Sequence, residues 1–265
     1  MKRVFVIILF ISNISKAQQW QAEIFTGVSG YAGDLSEDFN IRTLGPSIHF
    51  NLNYPLSNRF VFRGGLGWGK IKGSDQFNKT DLKGRNLDFK SQLFEASVCI
   101  EINLLTPDLF NSYPYVFGGI GLFHFNPYAY DKNGTRVLLK PLSTEGEGFP
   151  EYPDKKNYHL WQPCLPFGTG VKKSLNDKYE IAFELGFRKL FTDYLDDVST
   201  TYVDQETLFF HKGEKAVEMA SRNNSFTPHL AGEIRGNPKK KDWYYFAGLK
   251  LLMKLGNGNE GRMRF

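Results

Sequence analysis

Apolar and polar residues alternate along much of this chain with a period of two. The clearest stretch runs from Trp161 to Phe191. Trp161, Pro163, Leu165, Phe167, Thr169 and Val171 share one face, and Gln162, Cys164, Gly168, Gly170 and Lys172 share the other. After the short link from Leu175 to Lys178, Ile181, Phe183, Leu185 and Phe187 oppose Glu180, Ala182, Glu184, Gly186 and Arg188. Successive strand side chains point to opposite faces, so both segments read as β-strands; a helical period would mix the two sets. The second face carries charges and glycines where the first is wholly apolar. Such an apolar face belongs against another sheet or against lipid.

The same alternation predicts six more strands, over Trp20 to Tyr31, Leu44 to Tyr54, Arg59 to Lys72, Phe89 to Leu104, Tyr115 to Asn126 and Trp243 to Leu255. The strand beginning at Tyr115 is rich in Gly and Phe, and its faces are ambiguous. Each strand is about 10 to 15 residues, long for a soluble sheet but suited to a tilted bilayer crossing. The links alternate in length. Those from Pro55 to Asn58 and from Leu175 to Lys178 are tight, and that from Thr106 to Pro114 is intermediate. Those from Ala32 to Thr43, Gly73 to Asp88, Pro127 to Leu160 and Thr192 to Asp242 are long. A membrane barrel with both ends in the periplasm has short inner turns and long outer loops, whereas a soluble sandwich has no reason to sort loops by parity. The expected fold is an all-β, eight-stranded antiparallel up-and-down transmembrane β-barrel with long extracellular loops.

The N-terminus agrees. Lys2 and Arg3 precede an apolar run from Val4 to Ile11, and Ser15-Lys16-Ala17 offers small residues for cleavage. This reads as a secretory signal peptide over residues 1–17, with the barrel domain over 18–265. No other stretch approaches the roughly 18 apolar residues of a spanning helix. The expected location is the cell outer membrane. Removing Lys2, Arg3 and Lys16 lowers the formal charge from +5 to +2, so the apparent basicity gives no reason to expect a nucleic-acid partner. Aromatic residues make up 15% of the chain, which suits interfacial girdles.

With the faces assigned, the interior receives Glu23, Glu95, Glu101 and Glu184 as acids and Arg63, Lys172, Arg188 and Lys250 as bases. Eight strands leave room for side chains but not for a wide channel, so paired charges are expected to fill the lumen. Inward glycines, among them Gly168, Gly170 and Gly186, give those long side chains space. Cys99 and Cys164 both point inward; strand directions place them more than ~10 Å apart along the axis, so both thiols are expected free. Their number and spacing suggest no metal site.

Candidate chemistry is sparse. Of the five histidines, His49 alone falls clearly inward. Ser47, His49 and Glu23 can be written as a triad, but Ser47 and His49 lie side by side on one strand and no orienting geometry follows. No catalytic residue is therefore assigned. In the fourth long loop Asp193, Asp196, Asp197 and Asp204 offer oxygen ligands, yet their spacing does not match the twelve-residue calcium loop. Solvated turn caps are the plainer expectation. The stretch from Lys212 to Arg222 holds good helix formers. Lys239, Lys240 and Lys241 read as a solvated run able to meet lipid phosphates.

Five segments carry a family resemblance: Gly30-Tyr31-Ala32-Gly33-Asp34-Leu35, Tyr113 to Gly119, Pro166 to Val171, Phe191 to Ser199, and Asp242 to Gly248. Through them, and most specifically through Thr192 to Ser199 with Asp193, Tyr194, Asp196 and Asp197, the chain resembles small outer-membrane β-barrels of type IX-secreting bacteria. One branch, PorG, is an accessory subunit of that secretion system associated with periplasmic ring proteins. The resemblance implies a barrel with a structural or interaction role, in contact with outer-membrane lipid and with periplasmic or outer-membrane secretion proteins. No cofactor is expected. A narrow pore for small solutes and a lipid-acting enzyme are the alternatives.

Overall fold

The computed structural model describes residues 20–36, 40–78, 80–223 and 229–255. The expected signal peptide and the terminal Phe265 lie outside the described residues. Eight long strands form the wall: β1 (Gln21–Ala32), β2 (Gly45–Pro55), β3 (Phe60–Ser74), β4 (Asp88–Asn103) and β5 (Ser112–His124), then β8 (Trp161–Ser174), β9 (Tyr179–Leu190) and β10 (Trp243–Lys254). Each pairs antiparallel with its neighbour in the chain. β1 also pairs with β10, which closes the sheet into an up-and-down barrel. Closure leaves no unpaired sheet edge in the wall, the condition a strand must meet to cross a bilayer. A short hairpin, β6 (Tyr128–Tyr130) and β7 (Arg136–Leu138), branches from the outer end of β4. Two short helices, α1 (Gln205–Lys212) and α2 (Glu214–Ala220), lie in the last outer loop.

The two faces separate as the alternation dictates. Phe50, Phe62, Leu66, Val98, Ile120, Val171, Phe183 and Leu249 point outward and are exposed. The inward Glu23, Arg63, Glu95, Glu101, Lys172, Glu184, Arg188 and Lys250 are all buried. A sheet that exposes its apolar face and buries its charges is inverted relative to a soluble barrel, and lipid is the solvent that stabilises this inversion. The chain is an outer-membrane β-barrel. The strand whose faces the sequence leaves ambiguous turns Tyr113, Tyr115, Phe117 and Phe123 inward.

Short turns close one end. Leu56 N–H donates to Phe60 O at 2.8 Å and Leu175 N–H to Tyr179 O at 3.0 Å. All four long connections leave from the other end. Cys99 and Cys164 are buried and free, with β5 between their strands. Cys99 sits opposite Gly119 and Cys164 opposite Gly121, an offset of two residues along β5, or about 7 Å. This corrects the larger axial offset expected above. Reckoning depth from strand ends ignores the stagger between neighbouring strands.

Candidate functional site

Alternation places the lumen charges, and their registers bring opposite signs together. Lys250 Nζ lies 2.9 Å from Glu23 Oε1 and also meets Glu184. Glu184 takes Arg63 Nη1 at 2.7 Å, and Arg63 lies 3.6 Å from Glu101, which Lys172 also contacts. Six of the eight expected residues therefore form one continuous network. The other two, Arg188 and Glu95, make a separate bidentate pair at 2.9 and 3.1 Å. Neutral donors complete the carboxylates. Asn51 and Asn53 donate to Glu23, Tyr115 donates to Glu184 at 2.7 Å, and Tyr244 donates to Glu95 at 2.9 Å. The cations also lie over rings, Arg63 4.1 Å from the Phe117 centroid and Arg188 4.8 Å from that of Phe246.

Glycine makes this filling possible at one level of the wall. A Cβ at Gly168 would lie 2.7 Å from the Phe117 ring, and one at Gly186 would lie 2.6 Å from Arg188 Nη1. Below the network the short-turn end opens into a polar pocket of about 370 Å³ lined by Asn103, Tyr113, Lys172, Glu180 and Lys254 among others. Glu180 is a fifth buried inward acid, left out of the charge set expected above although the alternation places it there. It accepts from Ser174 Oγ at 3.3 Å.

At the opposite end the four long connections form a cap. Arg235 is fully buried and donates to Glu145 Oε1 at 3.0 Å, Asp197 O at 2.5 Å and Ala220 O at 3.3 Å. Arg85 grips Asp75 at 2.6 and 3.1 Å, reaches Asp34 O at 3.0 Å and donates to Arg235 O. Two guanidiniums thus tie together all four outer loops. Apolar side chains fill the space beneath, including Leu35, Leu87, Phe89, Phe125, Leu195 and Val198. Nothing in the local sequence marks Arg235 or Arg85, because their partners lie far away along the chain.

The Asp-rich loop motif belongs to this cap, which corrects the expectation of a solvated turn. Asp193, Asp196 and Asp197 are buried. Asp193 accepts from Ser199 Oγ at 2.8 Å. Asp196 accepts from the Tyr31 hydroxyl and from Val198 N–H at 2.9 Å. Asp197 accepts from Tyr158 and Thr144, both at 2.6 Å. Tyr194 stacks on Tyr158, with ring centroids 4.9 Å apart. Asp204, by contrast, is exposed and caps α1 by accepting from Thr207 N–H at 2.8 Å. The helical pair begins seven residues earlier than the stretch of helix formers suggested, because this cap starts it.

Burial raises several of the carboxyls of the cap. Asp193 is pushed up to about 7 and Asp197 to about 6. Glu147 is pushed up to about 8 by burial together with nearby Asp197 and Glu145. Asp196 is raised well above the usual range by burial and by nearby Asp34, and Asp242 by burial and by nearby Asp196 and Asp193. Among the described residues no group of His, Cys, Asp and Glu is arranged to hold a metal ion. Ser47, His49 and Glu23 do not assemble either. Glu23 faces Asn51, Asn53 and Lys250, while the His49 ring packs between Phe25 and Phe246.

A family model described as a domain of unknown function, DUF6089, matches residues 2–141. The chain belongs to the DUF6089 family. The match extends from before β1 through β7, and β8 to β10 lie beyond it. No curated protein matches the chain. Several solved structures are similar in fold. Neisserial surface protein A shares 10% identity at a TM-score of 0.45, with 89% of this chain and 97% of that one covered. Ail, the attachment invasion locus protein of Yersinia pestis, shares 7% at 0.43, with 90% and 99% covered. The outer membrane protein OprG of Pseudomonas aeruginosa shares 9% at 0.42, with 90% and 98% covered.

Proposed function

We propose that this DUF6089 barrel is a structural and interaction component of the outer membrane, closed to solutes, whose partners meet its capped outer loops or its periplasmic turns. The observation that carries the reading is the filling of the interior: four acids and four bases neutralise one another inside the wall, beneath a cap tied by Arg235 and Arg85. A conduit needs a continuous water-filled path along its axis. Here ion pairs and aromatic rings occupy that space. The proposal includes no catalytic step, since the inward Ser47 and His49 lack an orienting acid.

The narrower form of the proposal is a PorG-like accessory role in type IX secretion. It is supported by the segments quoted for the resemblance, above all Thr192 to Ser199. Extraction in mild detergent, affinity capture and identification of co-purifying proteins test it. Periplasmic ring proteins of the secretion machinery are expected in stoichiometric amounts. A barrel recovered alone, from cells in which the machinery is intact, contradicts the narrower form.

A further inference from the structure

The outward face of β3 and β4 changes character near its outer end. On the periplasmic side it is apolar and exposed, with Phe60, Phe62 and Leu66 on β3 and Phe94, Val98 and Ile100 on β4. Trp68 closes this stretch and donates from Nε1 to Gln92 Oε1 at 3.4 Å. A tryptophan at the edge of an apolar belt marks the membrane–water interface. Immediately beyond it, Lys70, Lys72 and Lys90 occupy the same face.

The register sets Lys72 directly opposite Lys90. Like charges directly opposite on an antiparallel pair destabilise it. Among the described residues no carboxylate forms an ion pair with either lysine. Lys90 lies over the Tyr130 ring at 4.7 Å and Lys70 over Trp68 at 5.5 Å. Lys72 and Lys90 line a groove of about 330 Å³ together with Arg42, from the turn that leads into β2. Asp88 also lines it, but this acid is already bonded to Arg222. Lower on the same wall, an apolar groove of about 670 Å³ is lined by Leu66, Ala96, Val98, Ile120 and Leu122, among others.

We propose that the Arg42, Lys72 and Lys90 groove binds the phosphate of an outer-leaflet phosphoglycolipid, with an acyl chain of the same molecule lying in the apolar groove below Trp68. The inference rests on the outer-membrane reading and goes beyond it by naming a ligand and a place. The like-charge pair is the feature that asks for an anion. The apolar continuation in line with it selects a lipid over a free ion, because inorganic phosphate gains nothing from that surface. A cation beside an anionic surface contributes about 1 kcal/mol, or roughly fivefold in affinity for each lysine.

The test uses the purified full-length protein in detergent. It is incubated with a phosphorylated, multiply acylated glucosamine disaccharide or with its phosphate-free counterpart, and bound lipid is counted by native mass spectrometry. The phosphorylated lipid is expected to be retained selectively, and an excess of inorganic phosphate is expected not to displace it. Lys72→Gln with Lys90→Gln should lower retention by about 10-fold or more. Lys72→Arg with Lys90→Arg should preserve it. Equal retention of the phosphate-free lipid, unchanged retention by the Gln pair, or full displacement by inorganic phosphate would overturn the site. Insertion into phospholipid vesicles is measured in parallel by the mobility shift of folded barrel. A protein that inserts but does not select phosphate overturns the site alone. One that fails to insert overturns the membrane reading and the site with it.

Discussion

Glu184 holds three donors inside the wall: Arg63, Lys250 and the Tyr115 hydroxyl. A carboxylate so placed gains little net stability over an apolar side chain, because desolvation offsets most of the attraction. Removing it is another matter. Glu184→Gln leaves three buried cations, Arg63, Lys172 and Lys250, sharing Glu23 and Glu101, and breaking a buried pair in this way costs about 3–5 kcal/mol. Lys250→Met in the same chain removes the surplus charge, while Glu23 keeps Asn51 and Asn53. The double variant should therefore be more stable than Glu184→Gln alone. Urea titration of folding into lipid vesicles measures the four corners of this cycle. Additive losses would mean that the network in the lumen is not energetically coupled.

The cap behaves as one element because its carboxyls are buried together. Asp197, Asp193 and Glu147 are held near 6, 7 and 8, above the ordinary carboxyl value. Groups with raised folded values bind more protons in the closed cap than in an opened one between about pH 4 and pH 8. Stability of the cap therefore falls as pH rises through that window. Amide-exchange protection of the segment around Tyr194 to Ser199, corrected for intrinsic exchange rates, should be lower at pH 8.5 than at pH 5.5. Asp193→Asn should reduce the difference. Protection that is constant or grows with pH contradicts the assignment. Little of this element was legible in the chain. Tyr31 and Asp196 are 165 residues apart, and Arg85 and the Arg235 carbonyl are 150 apart. Loop residues carry no period, so neither partner announces the other. The aspartates of the Thr192 to Ser199 segment look solvated because charged loop residues usually are. Here neighbouring loops cover them.

At the scale of the whole molecule the wall was readable in detail. A strand period of two sorts every residue to one side, and the loop lengths orient the barrel. The β5 faces escaped because glycines and apolar side chains occur on both sides of Tyr115 to Asn126, with Gly118, Ile120 and Leu122 on one and Phe117, Gly119 and Gly121 on the other; β4 and β8 settle them by pairing. The lumen charges were legible as a set but not as pairs, since pairing depends on stagger around the closed sheet. The same missing stagger enlarged the expected separation of Cys99 and Cys164. What the closed sheet adds is a self-neutralising interior between a tied outer cap and a shallow periplasmic pocket. That interior makes the central claim, a barrel that scaffolds rather than conducts, directly measurable. Single-channel recording of the purified protein in a planar bilayer, with insertion confirmed separately, should show no steady current steps at neutral pH. Large, stable steps in the absence of any partner would contradict the account.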